Sequence, residues 1–429
     1  MIKKSKKSKK SEESKEPDSL QIRTFQNSNV ISWIVFLFTI SIVLLSLVSV
    51  VFPAMIGSSG TVKIPGIEIE RPDPFELGVW AVPLIVVDAI VFGLLILYFK
   101  KRLPKHLSNA FSFLFNFEIS KKVSIIVVAI IIIGYIAATA GELGVEEVWD
   151  DYRGVKERAQ TWNLESIPTS TEPHVKYFLI TTSMQLFGNY KIIPFIASIA
   201  LLITTFLITN KITKKRFAGI ISLIILLQSN LFLTYDTSVA YDNFWILFYL
   251  LSLYLIYKVW PLSPISYLLA LPSKALTILF LPMSLFFIFR SNINRKRKII
   301  ISIAMVAIIL ILVSVVSSRG ISFSYAMGEQ TEFDSDDFWI GFTSMSPQLR
   351  FDGIVLVFLL PLVVGLFLSS RRGILQADSV MVLIMGMLLM PAILAGFTDQ
   401  TNQPYRFVPL IVFFAIGVGT ILSKFNEKV

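Results

Sequence analysis

Most of the residues able to do chemistry in this chain fall in one polar, acidic stretch, Gly141 to Tyr190, between two long apolar segments. Its first half carries Glu146, Glu147, Trp149, Asp150, Asp151, Tyr152 and Arg153; its second half carries Glu172, Pro173, His174, Lys176 and Tyr177. A carboxylate beside a polar substrate can act as a general base, and aromatic rings can stack on it. Acidic pairs in loops are also ordinary solvated charges, so the pair Asp150–Asp151 acquires meaning only from what surrounds it. Further along stand Asp242 in a short turn, Lys274 inside an apolar hairpin, and Tyr405-Arg406 just before the last apolar run. A lysine in an apolar hairpin is costly unless an anion offsets its desolvation. Asp334, Asp336 and Asp337 have the look of an Asp-x-Asp divalent-cation site, but loop triplets of acids are common and no metal is expected.

The elements that must hold these residues are membrane helices. Of 429 residues, 54% are hydrophobic and only 16% charged, against roughly 25% charged in soluble domains. The mean hydropathy is +0.71. Many apolar runs approach the roughly twenty residues that a helix needs to cross a bilayer. The chain is read as all-α, a polytopic helical membrane protein. The net charge of +10 does not indicate nucleic acid, because the basic residues form short clusters between spans, as orientation by cytoplasmic positive charge requires. With no cysteine and two histidines, disulfides, thiolate metal sites and His-rich sites are excluded.

Charge and length together set a topology. Residues 1–28 form a basic tail too polar to fold, held on the cytoplasmic side. Two spans, Ile31–Val51 and Leu77–Phe99, and an amphipathic interfacial segment, Leu107–Phe117, complete an N-terminal extension to residue 122. Val123–Ala140 then delivers the acidic stretch outside. The run Val175–Phe187 is too short to cross, and Lys211, Lys214, Lys215 and Arg216 after the span Ile192–Ile208 belong inside only if it does not. It is expected to lie along the external interface. Ala218–Thr234 and Phe244–Tyr257 form the next pair. Ile265–Phe289, interrupted at Pro272-Ser273-Lys274, is expected to be two short helices meeting near the external side; broken backbone at that depth is tolerated where it lines a cavity. Ile299–Val316, Ile354–Leu368, Val380–Leu394 and Val408–Leu422 follow, with a second external loop at 317–351. The count is about twelve passes, a multi-pass protein of the cell membrane with both termini cytoplasmic.

The ordered set of residues resembles the GT-C superfamily of integral membrane glycosyltransferases, in particular the protein mannosyltransferase and aminoarabinose transferase branch. The resemblance rests on Asp150, Asp151 and Tyr152; Pro173, Tyr177 and Leu186-Phe187-Gly188; Asp242; Ser273-Lys274; and Tyr405-Arg406, between Val123 and Leu422. Two features depart from the family. Tyr152 follows the first acid more closely, and Glu172 stands one position away from the usual acid or histidine. The resemblance implies transfer of a sugar from a polyprenyl-phosphate donor to a glycan, lipid or protein acceptor outside. It implies Asp150, then Asp151, as the base. Lys274 and Arg406, converging on one external-side cavity, would hold the carrier phosphate, with Glu172, His174, Tyr177, Asp242 and Tyr405 binding substrate. Lys176 reads more simply as a snorkelling anchor, and Asp242 as a loop-orienting group or a partner for Lys274. The competing readings are a transporter or flippase for lipid-linked or small solutes, and a catalytically inactive scaffold of the same fold. Transporters usually place ionisable groups at the midplane and show repeats, whereas here the acids cluster outside.

Overall fold

The computed structural model describes residues 18–54, 73–167, 172–318, 333–339, 341, 352–397 and 404–423, excepting the side chains before Val30 and those of Phe99, Asp150, Ser166 and Val316. Their regular elements are all helices, with no strand among the described residues. In order the helices are α1 (Asp18–Val51), α2 (Ala81–Phe99), α3 (Lys105–Asn116), α4 (Lys121–Thr139), α5 (Asp150–Thr161), α6 (His174–Phe187), α7 (Ile192–Thr213) and α8 (Arg216–Leu227). Then come α9 (Asn230–Tyr235), α10 (Phe244–Lys258), α11 (Leu262–Ala270), α12 (Leu281–Arg290), α13 (Arg295–Ser318), α14 (Gly353–Arg371), α15 (Gln376–Ala395) and α16 (Val408–Ile421).

Eight of these segments, built on α1, α2, α4, α7, α13, α14, α15 and α16, are long and apolar enough to cross a membrane, among the described residues. The chain is a helical membrane protein. α16 is the central post: 72% of its span is buried, and it packs on α7, α8, α14 and α15. Gly419 permits a close approach to α8, because a Cβ there would stand 2.2 Å from Ser222 Oγ and 2.7 Å from the Ala218 carbonyl oxygen. α2 and α13, each only 17% buried, form the outer edge.

Several expected boundaries shift. α1 begins at Asp18, inside the stretch expected to be unstructured; residues 1–17 lie outside the described residues. The segment expected as one pass over 218–234 breaks after Gln228. There Ser229 caps α9 by accepting from the Phe232 N–H at 3.1 Å, the ordinary role of serine at a helix start. α6 covers His174–Phe187 and stops at Gly188, whose φ of +67° closes the helix in the left-handed conformation that glycine adopts without steric cost. The interrupted hairpin is α11, a bend through Pro272 to Lys274, a 3-10 turn at Ala275–Phe280, then α12.

The two N-terminal spans pack on the later helices. α1 lies against α14 and α15, and α2 against α14. Ser32 of α1 donates to Asp378 Oδ2 of α15 at 2.8 Å and shares a 2.9 Å bond with Ser370 of α14. Arg290, at the end of α12, pairs with the same Asp378 carboxylate. On the α3 side, the buried ammonium of Lys215 donates to the carbonyls of Leu114, Phe115 and Leu422 at 2.9–3.1 Å. That lysine caps the C-terminal ends of α3 and α16 together, where helix dipoles favour a cation.

Candidate functional site

The site is assembled on the turn Asp236–Asn243, between α9 and α10. This turn is built from polar residues that need backbone partners, and Glu147 supplies them. Its carboxylate accepts from the Ser238 hydroxyl at 2.9 Å, the Val239 N–H at 2.5 Å and the Ala240 N–H at 3.3 Å. A carboxylate receiving two backbone amides and a hydroxyl fixes a turn firmly. Asp242 closes the other end. Its Oδ1 accepts from the Phe244 N–H at 3.1 Å, at the start of α10, and its Oδ2 is 3.0 Å from Lys176 Nζ, both side chains buried. Lys176 also donates to the Ala240 carbonyl at 2.6 Å. The lysine expected to snorkel is therefore a buried clamp between α6 and the turn, and Asp242 is engaged by it and not by Lys274.

Held between these clamps, Tyr241 projects into an aromatic group. Its ring stacks on Tyr405 at 4.2 Å between centroids, 16° from parallel. It meets Trp149 and Tyr235 edge-on, each at 5.6 Å. Its hydroxyl donates to Asp151 Oδ2 at 2.9 Å. Burial, then the bonded Asp151 carboxylate, push the Tyr241 pKa up, so the phenol is a neutral donor at physiological pH.

Tyr405 turns its other neighbours toward cations. Lys274 Nζ lies 3.8 Å from the Tyr405 ring centroid and 5.4 Å from that of Trp245. Its charge lies close enough to act on the Tyr405 hydroxyl. Arg406 reaches the same hydroxyl through Nε at 3.5 Å. Lys274 and Arg406 thus meet at one phenol, with the Lys176 charge near enough to be felt by Lys274. Among the described residues no carboxylate lies within ion-pairing distance of Lys274. The bend that presents Lys274 is tied to α6, since the Val175 N–H donates to the Pro272 carbonyl at 3.2 Å.

A second group lies on α5 and α6. Tyr177 is buried and lies close to Arg158, whose pKa is raised first by Tyr177 and further by the Glu172 and Asp151 charges. His174 Nδ1 accepts from Trp162 Nε1 at 3.2 Å. Glu172, His174 and Tyr177 thus stand beside α5, and the Asp151 charge is felt by the Arg158 that serves Tyr177. The Asp150 side chain lies outside the described residues. Its backbone opens α5, and two acids in a first turn also favour the helix start by about 0.3–1 kcal/mol each. Asp334 caps the helical turn 335–339, accepting from the Asp336 and Asp337 amides at 2.7 and 3.2 Å. Glu329, Glu332 and most of the expected loop 317–351 lie outside the described residues. Among the described residues no group of three His, Asp or Glu side chains is placed to hold a metal ion.

Sequence reasoning did not single out Glu147, Arg158 or Tyr241 as part of a site. Arg158 had a signal: it follows Asp151 by two helical turns and shares its face. Tyr241 had a weaker one, in the repeated Tyr-Asp pairs at 235–236 and 241–242. The partner of Glu147 is a backbone turn some ninety positions away, for which the sequence carries no mark. Comparison of the chain with known proteins gives no match to any family model, curated protein or solved structure.

Proposed function

We propose that this chain is a membrane glycosyltransferase of the GT-C kind, moving a sugar from a polyprenyl-phosphate carrier to a glycan, lipid or protein acceptor on the external face of the cell membrane. The observation that carries this reading is the meeting of Lys274 and Arg406 at Tyr405, with Asp151 one phenol away through Tyr241. Two cations crowded together, one with no acid partner among the described residues, gain most from a bound anion. A lipid-borne phosphate would reach them from the bilayer at the break in the hairpin. In this mechanism Asp150 takes the proton of an acceptor hydroxyl as its oxygen attacks the anomeric carbon. The bond from that carbon to the phosphate oxygen breaks, and the electron pair leaves on the carrier phosphate, whose charge Lys274 and Arg406 stabilise. Asp151 holds Tyr241 against Tyr405 and so keeps the cation side and the carboxylate side in register.

The finer topology belongs to the same proposal. The eight long spans are joined by α8 with α9, by α10, and by the two arms of the hairpin, which brings the count to about twelve with both termini cytoplasmic. The test uses purified protein in lipid nanodiscs with a panel of polyprenyl-phosphate sugars. Release of polyprenyl phosphate with labelling of an acceptor is expected, and loss of both in Lys274→Met and Asp150→Asn. Solute movement across proteoliposomes without sugar release would replace this reading with transport. Donor binding without turnover in the wild-type chain would replace it with an inactive scaffold.

A further inference from the structure

A cleft of about 370 Å³ opens between α4, α8 and α9, apart from the Lys274 group, and it is lined by Tyr135, Thr139, Glu142 and Asp236 with apolar walls. Asp236 is 1% exposed. Its Oδ2 accepts from the Tyr135 hydroxyl at 2.6 Å, while Oδ1 is buried with no hydrogen-bond partner. The amides of Thr237 and Asp236 lie beside this carboxylate, and neither meets hydrogen-bond geometry to Oδ1. Glu142, on the turn after α4, faces the same cleft, and its Oε2 is reached by the Thr237 hydroxyl at 3.4 Å. Among the described residues no cation lines the cleft. The nearby Lys191 gives its ammonium to the Glu142 carbonyl at 3.0 Å.

The mouth of the cleft decides where a ligand comes from. The cleft is lined by Ile131, Gly134, Ala138 and Leu233, of which Gly134 and Ala138 on α4 and Leu233 on α9 are exposed. The α4 residues belong to a candidate span, so what lies against them in a membrane is lipid. Glu142 marks the end of the same span, at headgroup level.

We infer that this cleft binds a primary ammonium group carried by a membrane lipid, the ethanolamine headgroup of an aminophospholipid. An orphaned buried carboxylate oxygen gains from a donor, and two neighbouring carboxylates are relieved by a proton or by positive charge. A primary ammonium brings both. A choline headgroup brings charge without N–H donors, and a glycerol headgroup brings donors on a net negative lipid. This inference does not depend on glycosyl transfer.

The test is lipid retention by the full-length protein in nanodiscs of phosphatidylcholine containing a minor fraction of either phosphatidylethanolamine or phosphatidylglycerol, read by native mass spectrometry. Several-fold preferential retention of phosphatidylethanolamine is expected. Asp236→Asn should abolish the preference. Gly134→Leu is the second variant: Gly134 lines the cleft with nothing within 4 Å of where its Cβ would stand, so leucine enters the cleft and leaves both carboxylates intact. It should abolish the preference too. Equal retention of the three lipids, or a preference that survives both variants, would overturn the inference. Full displacement by soluble glycerophosphoethanolamine would overturn the lipid source.

Discussion

Replacing Lys176 and, separately, Lys274 by methionine should separate a structural cation from a ligand-binding one. Lys176 is paired with a buried carboxylate, at 3.0 Å from Asp242, and with the Ala240 carbonyl at 2.6 Å. Lys176→Met leaves Asp242 charged and buried, which typically costs about 3–5 kcal/mol. Adding Asp242→Asn should recover most of that loss, because the stranded charge is then gone. Among the described residues Lys274 has no such partner. Lys274→Met forfeits cation–π contacts with Tyr405 and Trp245, worth about 0.5–2 kcal/mol. It also removes a desolvated charge that faces Arg406 and Lys176. These effects oppose each other, and the net change in stability should stay within about 1 kcal/mol. For binding the order reverses. Loss of a charge-assisted hydrogen bond to phosphate, about 1.5–3 kcal/mol, weakens affinity by about ten- to a hundredfold. Lys176→Met should weaken binding only as far as it reduces the folded fraction. The assay is thermal unfolding of each variant in one lipid, paired with titration by polyprenyl phosphate. If Lys274→Met unfolds as readily as Lys176→Met and keeps wild-type affinity for polyprenyl phosphate, Lys274 is structural and the donor-site argument fails.

Three other outcomes are expected. Asp150→Asn should lower transfer by about a hundredfold or more, as loss of a general base does, with donor binding unchanged. Asp151→Asn keeps an oxygen to accept from Tyr241 and should retain much of the rate; the opposite ranking in a transfer assay would move the base by one residue. Glu147→Ala removes three hydrogen bonds from the turn, so amide exchange at 238–240 should accelerate while the spans stay protected, and unchanged exchange would deny Glu147 its clamping role. Burial, partly countered by the Tyr135 hydrogen bond, lifts the Asp236 pKa from 3.8 to about 7. Between those values the folded protein holds a proton that the unfolded chain has lost, so stability is highest below pH 4 and falls as pH rises through about 7. The change is about 4 kcal/mol at most. Unfolding midpoints of Asp236→Asn in lipid lacking ethanolamine should lack this decline, and identical pH profiles for the two proteins would contradict it.

Much of the frame is written locally. Hydropathy over twenty-residue windows marks the long helices, and the short apolar run after Pro173 appears as a helix of the expected length, ended by Gly188. Pro272-Ser273-Lys274 breaks the hairpin where proline removes a donor and lysine resists burial. What stays hidden is partner choice. Asp242 had two plausible cations, Lys176 and Lys274, and only the packing of α6 against the turn decides for Lys176. The first span is expected only as part of an N-terminal extension, and Ser32 within it bonds Asp378 of the neighbouring α15. A small hydroxyl that bonds an acid so distant in sequence leaves no periodicity to read. Asp378, at the edge of an apolar run, was the visible half of that contact, since ionisable groups at membrane depth need partners.

The convergence at Tyr405 follows from how the broken backbone is satisfied. A bend at Pro272–Lys274 leaves carbonyls without helical partners, and such groups must be met by protein if water is excluded. The first turn of α6 meets one of them, through the Val175 N–H. The next residue of the same turn, Lys176, fastens Asp242 and Ala240. One turn of helix therefore fixes both the bend that carries Lys274 and the loop that carries Tyr241. Tyr405, at the start of α16, is then held between them, stacked on Tyr241 and covered by Lys274. Because α16 is the most buried span, Tyr405 is the least movable of the three. A shift of α6 would displace Lys274 and Tyr241 together relative to it. Residues from four separate segments keep one geometry because two of those segments hang from a single helical turn.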